Sequence, residues 1–116
     1  MARGLTVIVD PGSGNLHSVE KAFLRAADPG TGEVRITSRP EDVARAERIV
    51  LPGNGAFPAC RRGLDAHGLT EALHEAVIAR ARPFLGICIG MQMLATRGHE
   101  HETTAGLVWV PGEVVR

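Results

Sequence analysis

Four short apolar runs alternate with segments of helical spacing, and this alternation limits the layouts open to the chain more than any other feature of its 116 residues. "LTVIVD" (residues 5–10), "EVRIT" (33–37), "RIVLP" (48–52) and the run "PFLGI" opening at Pro83 are rich in β-branched and aliphatic residues. Strands that are apolar throughout need cover on both faces, and strands alternating with helices come back parallel to one another. The expectation is an α/β fold built on an open, mostly parallel, doubly wound sheet with helices on both faces.

The intervening segments fit that layout. After the first strand the turn "PGSG" brings Asn15 to a helix N-cap position. Leu16, Val19, Phe23 and Leu24 then recur at helical spacing until "DPGTG" (28–32) breaks the pattern. "RPEDVARA" (39–46) reads as a short helix or turn. Residues 56–82 read as helix in two pieces divided near His67 and Gly68, with Leu69, Leu73, Val77 and Ile78 as the apolar stripe of the second. Pro83 ends it. Another helix begins near Ile89, and "GLVWV" (106–110) and "GEVVR" (112–116) supply one or two further strands. A sheet ending there would leave one edge and part of an apolar face uncovered. No repeat, linker or low-complexity stretch divides the chain, so residues 1–116 read as a single domain.

Charge and composition remove several function classes. Thirteen Lys and Arg balance thirteen Asp and Glu, without blocks of one sign, and three Phe with one Trp are too few for a base-stacking platform. Nucleic acid is therefore not an expected partner. The N-terminal apolar run is closed by Asp10 and is too short for a signal sequence, while the uncharged run at residues 83–96 is too short to cross a bilayer. The reading is cytoplasmic, with no membrane contact. In that setting Cys60 and Cys88 are expected as free thiols.

Gly86-Ile87-Cys88-Ile89-Gly90 has the spacing of a nucleophile elbow with cysteine at its apex. A strand that turns abruptly into a helix strains the apical residue and brings flanking backbones so close that a Cβ would collide. The apical side chain then projects from the carboxyl edge of the sheet, where such sheets bind ligands. A helix beginning at Ile89 would set its partial positive charge beside Cys88 and favour the thiolate. The Ile89 N–H would supply one oxyanion donor, and "PGNGAF", with Gly53, Asn54 and Gly55 after the third strand, offers a second. On spacing alone a buried cysteine in a strand fits equally well; the second glycine-rich loop is what favours the nucleophile. Cys60 has no such turn and reads as structural or simply exposed.

No histidine offers an evident base. His17, His67 and His74 read as surface or capping residues. "HEHE" (99–102) lacks the spacing that sets two imidazoles on one helical face and reads as a solvated loop, not a metal site. No metal or cofactor is expected.

Taken together, "LGICIGMQML", "DPGSGNLHSV" (10–19), "LPGNGAF" (51–57) and "GLVWVPGEVVR" resemble the class I glutamine amidotransferases, and more narrowly the glutaminase subunits of imidazole glycerol phosphate synthase in histidine biosynthesis. The resemblance spans the chain in order. It implies the N-terminal part of a flavodoxin-like domain. It also implies that Cys88 attacks the side-chain amide of glutamine to give a thioester and ammonia. The oxyanion would be held by the N–H groups of Ile89 and Asn54, with Gly53, Gly55 and Gln92 lining the glutamine site. Ammonia would pass to a cyclase subunit, the heterodimer partner, with Asn15 toward that interface.

Three departures stand out. Pro11 occupies a position where the family usually has tyrosine. Asn54 replaces the usual valine, and asparagine reaches left-handed backbone geometry more readily than a β-branched residue, which would ease an oxyanion-competent conformer. The family's base and its orienting glutamate, H-P-E downstream of the elbow, are not found in these 116 residues. The expected fragment therefore holds a nucleophile and an oxyanion frame without a general base, and is inactive alone. Another class I amidotransferase, or a non-catalytic module binding a cyclase-like partner, remain the alternative readings.

Overall fold

The four apolar runs pair as parallel strands in the computed structural model, which describes residues 4–12, 16–26, 32–53 and 56–115. They are β1 (Leu5–Val9), β2 (Glu33–Thr37), β3 (Arg48–Gly53) and β4 (Phe84–Cys88), in the order β2-β1-β3-β4. The doubly wound reading is thus observed. Alternate side chains of β1 leave on opposite faces, and all five are buried. Leu5, Val7 and Val9 join Ile49 and Leu51 of β3 in the larger core, packed against Val43, Phe57, Cys60, Leu64, Leu69 and Leu73. Ile8 and Val50 face the other way, toward Leu16, Val19 and Phe23.

Helices α1 (His17–Ala26), α2 (Pro40–Arg45), α3 (Phe57–Ala66) and α4 (Leu69–Leu73) lie near the expected segments. The break at His67 and Gly68 is where the sequence places it: Gly68 takes φ +70°, and the His67 ring donates through Nδ1 to the Gly63 carbonyl, 2.9 Å away. Asn15, read as a helix cap, lies outside the described residues. After α4 the chain widens into a π-helical segment, His74–Ala79, closed by the Arg80 N–H on the Glu75 carbonyl. The burial corrects the apolar stripe. Leu69, Leu73 and Ala76 are buried and Val77 is half-buried, whereas Ile78 is 58% exposed, since at 3.6 residues per turn a position nine residues after Leu69 lies on roughly the opposite face.

The C-terminal region departs most from expectation. "GLVWV" forms no strand: Val108 stands at φ +63° and Trp109 turns inward, its ring edge-on to Phe84 and its Nε1–H donated to His74. The strands lie on either side of it. "HEHE", expected as a solvated loop, belongs to an antiparallel hairpin of β5 (Arg97–Glu100) and β6 (Glu102–Ala105), turned by His101 at φ +65°. Within "GEVVR" only β7 (Glu113–Val114) is extended, parallel to β5.

β4 pairs with β3 alone among the described strands. Leu85 is 49% exposed, and a cleft of about 320 Å³ opens beside it between Phe23, Val34, Val50 and Phe84. No helix among the described residues is long and apolar enough to cross a membrane.

Candidate active site

The candidate site forms where β3 and β4 end side by side. Their parallel register pairs Leu51 with Gly86, Pro52 with Ile87 and Gly53 with Cys88. The last strand residue before the glycine-rich loop is therefore the direct neighbour of the cysteine. The two loops are expected at one sheet edge, but that Gly53 and Cys88 are direct partners is a consequence of strand order.

Cys88 is exposed and adopts φ +56°, ψ −121°. A non-glycine residue held there is strained, as expected of an elbow apex. Its neighbours explain why both elbow glycines are needed. A Cβ on Gly90 would lie 1.7 Å from the Leu51 carbonyl oxygen, and one on Gly86 would lie 2.8 Å from the Met91 Cα. Across the strand gap a Cβ on Gly53 would meet the Ile89 Cβ at 3.1 Å and the Gly90 nitrogen at 3.2 Å. The buried-strand alternative for Cys88 thus gives way to an exposed thiol on a turn. The following helix, α5 (Ile89–Gln92), is a single turn, shorter than a full helix dipole requires.

Cys60 is the contrasting thiol. It is fully buried in the core on α3, and burial raises its pKa from 9.0 to about 11. Of the other residues singled out, Gly53 and Ile89 sit beside Cys88. Gln92 is half-buried, facing a small hollow with Phe57, Ile89, Gly98, His99 and Glu100. Asn54, Gly55 and Asn15 lie outside the described residues. Pro11 is buried, and its carbonyl packs so closely on Gly63 of α3 that a Cβ there would overlap it.

Each described histidine has a polar group beside it. His67 contacts the Gly63 carbonyl, His74 receives the Trp109 N–H, and His17 lies 3.7 Å from Glu20. His99 approaches Thr103 at 3.1 Å through Nδ1 and Glu113 at 2.5 Å through Nε2. That contact, with help from Arg97, holds the Glu113 carboxyl below its usual range. His101 lies 3.9 Å from Glu100. Among the described residues no group of three or more His, Cys, Asp or Glu is placed to hold a metal ion. One functional candidate escaped the sequence reading: Glu100, whose carboxylate accepts the backbone N–H of Phe57 at 3.0 Å. Nothing local marks it, because the two residues are 43 positions apart.

Comparison with known proteins gives a consistent set of relatives. The chain is 69% identical over 114 residues to imidazole glycerol phosphate synthase subunit HisH of Cereibacter sphaeroides, covering 97% of this chain and 54% of the relative. It is 61% identical to the subunit of the same name from Ruegeria pomeroyi, with the same coverage. Against that of Rhodopseudomonas palustris it is 56% identical over 112 residues, 94% of this chain and 52% of the relative. The chain spans about half the length of the curated relatives it matches. No protein-family model matches it.

Proposed function

The chain is a homologue of the HisH subunits of imidazole glycerol phosphate synthase, and from that premise we propose that it carries the nucleophile and oxyanion frame of a glutaminase feeding histidine biosynthesis. Residues 1–116 are read as one incomplete amidotransferase domain.

In this reading the Cys88 thiolate attacks the Cδ of a glutamine side-chain amide. The electron pair displaced onto the carbonyl oxygen is received by the N–H groups of Ile89 and Asn54. Collapse of that intermediate breaks the C–N bond and, with a proton delivered to nitrogen, releases ammonia and leaves a thioester. Water then attacks the thioester, giving glutamate and restoring the thiol. Gly53, Gly55 and Gln92 line the glutamine site. Ammonia passes to a cyclase subunit docked as the second half of a heterodimer, with Asn15 toward the contact. The base that takes and returns the proton is not among the residues assigned here.

The observation that carries the reading is the pairing of Gly53 with Cys88, since it sets a glycine-rich strand end and a strained, exposed cysteine on one sheet edge. The test is Cys88→Ala in the full-length protein combined with its cyclase. Glutamine-dependent synthesis is expected to fall by at least about three orders of magnitude, as when a covalent nucleophile is removed, while synthesis from added ammonia persists. Retention of glutamine-dependent turnover would overturn the assignment.

A further inference from the structure

The helix that follows Cys88 is too short to hold itself. α5 is four residues long, and an isolated helical turn is unstable in water. Its local bonds end with the Met93 N–H on the Ile89 carbonyl, the Leu94 N–H on Met91 and the Ala95 N–H on Gln92. The next four carbonyls, of Met93, Leu94, Ala95 and Thr96, find their donors far along the chain.

Residues 106–110 supply them. The Gly106 N–H is donated to the Thr96 carbonyl at 3.0 Å, Leu107 to Met93 at 2.6 Å and Val108 to Ala95 at 3.1 Å, while Trp109 and Val110 both donate to Leu94, at 3.0 and 2.8 Å. The approach is close enough that a Cβ on Gly106 would sit 2.2 Å from the Ala95 carbonyl oxygen. This is the "GLVWV" run that forms no strand: its amides serve the turn behind the elbow instead of a sheet. Trp109 fastens it from the other side. Its ring stands edge-on to Phe84, the first residue of β4, with centroids 5.1 Å apart, and to His74 at 5.5 Å, where Nε1–H is donated to Nδ1 at 3.1 Å. One residue thus touches the strand leading into Cys88 through its side chain and the turn leading out through its backbone N–H.

We propose that Trp109 is a positioning residue: it ties the two arms of the elbow together, so that α5 keeps Cys88 in its strained conformation and the Ile89 N–H directed at the carbonyl oxygen under attack. A non-glycine residue at φ +56°, ψ −121° persists only where its surroundings hold it there, and one helical turn does not suffice. The consequence for turnover rests on the glutaminase reading; the brace itself can be tested separately.

Two measurements test it, with Trp109→Leu chosen to keep apolar bulk in the core while removing the ring and its N–H. In the 116-residue chain, hydrogen exchange at the Met93 and Val110 amides should accelerate at least about tenfold in Trp109→Leu, with the Val7 and Ile8 amides of β1 unchanged and Trp109→Phe restoring most of the protection. In the full-length protein with its cyclase, at a temperature where the variants are fully folded, Trp109→Leu should lower kcat for glutamine by about tenfold to a hundredfold, the scale of a misplacement by about 1 Å. KM should stay within about threefold, because the Ile89 N–H is engaged only as charge develops on the oxygen, and synthesis from added ammonia should not change. Unchanged exchange at Met93 would overturn the proposal, as would equal acceleration at Val7, which would make Trp109 a support of the whole core. A loss carried by KM, or faster exchange at Met93 with an unchanged, Cys88-dependent kcat, would overturn the positioning role. Faster exchange at Met93 in a protein whose glutamine turnover does not depend on Cys88 would leave the brace standing and remove the glutaminase reading instead.

Discussion

Replacing Gly90 by alanine tests the elbow directly, because the added methyl has nowhere to go. Its Cβ would lie 1.7 Å from the Leu51 carbonyl oxygen, 2.6 Å from the carbonyl carbon and 3.2 Å from the Leu51 Cγ. An ordinary contact needs about 3.5 Å, so one backbone must retreat by roughly 1.8 Å. Leu51 cannot retreat cheaply: it is fully buried, and its strand is paired to β4 from Ile49 through Gly53. Overpacking a core with flexible side chains costs about 1–3 kcal/mol, and a clash against paired backbone belongs at or above the top of that range. Set against a total of about 5–15 kcal/mol for an ordinary domain, that is a large fraction. Gly53→Ala is the internal control. Its Cβ meets neighbours at 3.1–3.2 Å, which a few tenths of an ångström relieves, and its cost should stay below about 1.5 kcal/mol. Urea unfolding followed by circular dichroism would measure both. Reaction of the native protein with a thiol reagent, where exposed Cys88 responds and buried Cys60 does not, would report whether the elbow keeps its shape. A Gly90→Ala protein with wild-type stability and wild-type Cys88 reactivity would show that the close approach of α5 to β3 is not a real constraint.

The two remaining predictions concern pH. Cys60 has a folded pKa of about 11 against 9.0, so the folded state keeps a proton that the unfolded state has lost between those values; stability present below pH 9 should decline by about 2–3 kcal/mol as pH rises through 11, and Cys60→Ala should abolish that slope in urea titrations at stepped pH. At the acid end, the Thr37 hydroxyl at 2.6 Å, more than Arg35, holds the Asp42 carboxyl below its usual range against the opposing effect of burial. The resulting stability is present above the ordinary carboxylate value and lost as pH falls through the depressed one. Thr37→Val should cost about 1–3 kcal/mol at neutral pH and move the acid unfolding midpoint upward, whereas an unchanged midpoint would remove Asp42 as its source.

The features that sequence reasoning reached share one property: their cause is local. β1, β2, β3 and β4 could be read because a strand buried on both faces needs an unbroken apolar run. The elbow could be read because Gly86 and Gly90 lie two residues from Cys88 and the collisions they avoid are with the turn itself and the adjacent strand. The helix break near His67 followed from the glycine beside it. Where the cause lay far along the chain, the reading failed. "HEHE" looks like a solvated loop until Arg97–Glu100 pairs with Glu102–Ala105, and His99 looks solvated until Glu113 arrives on a third strand. Ile78 failed for a local reason: nine positions after Leu69 it falls on roughly the opposite face of a helix, and it is 58% exposed.

By itself, then, the sequence determined the parallel sheet, the glycine-flanked cysteine and the resemblance to glutaminases, all consequences of residues within a few positions of one another. Only the tertiary structure decided that Gly53 stands beside Cys88, that Cys60 is sealed in the core, and that Glu100 holds the start of α3. Those pairings depend on strand order and on a hairpin folding back over α3. A contact between residues 35 or 43 positions apart becomes favourable only after the intervening elements have packed.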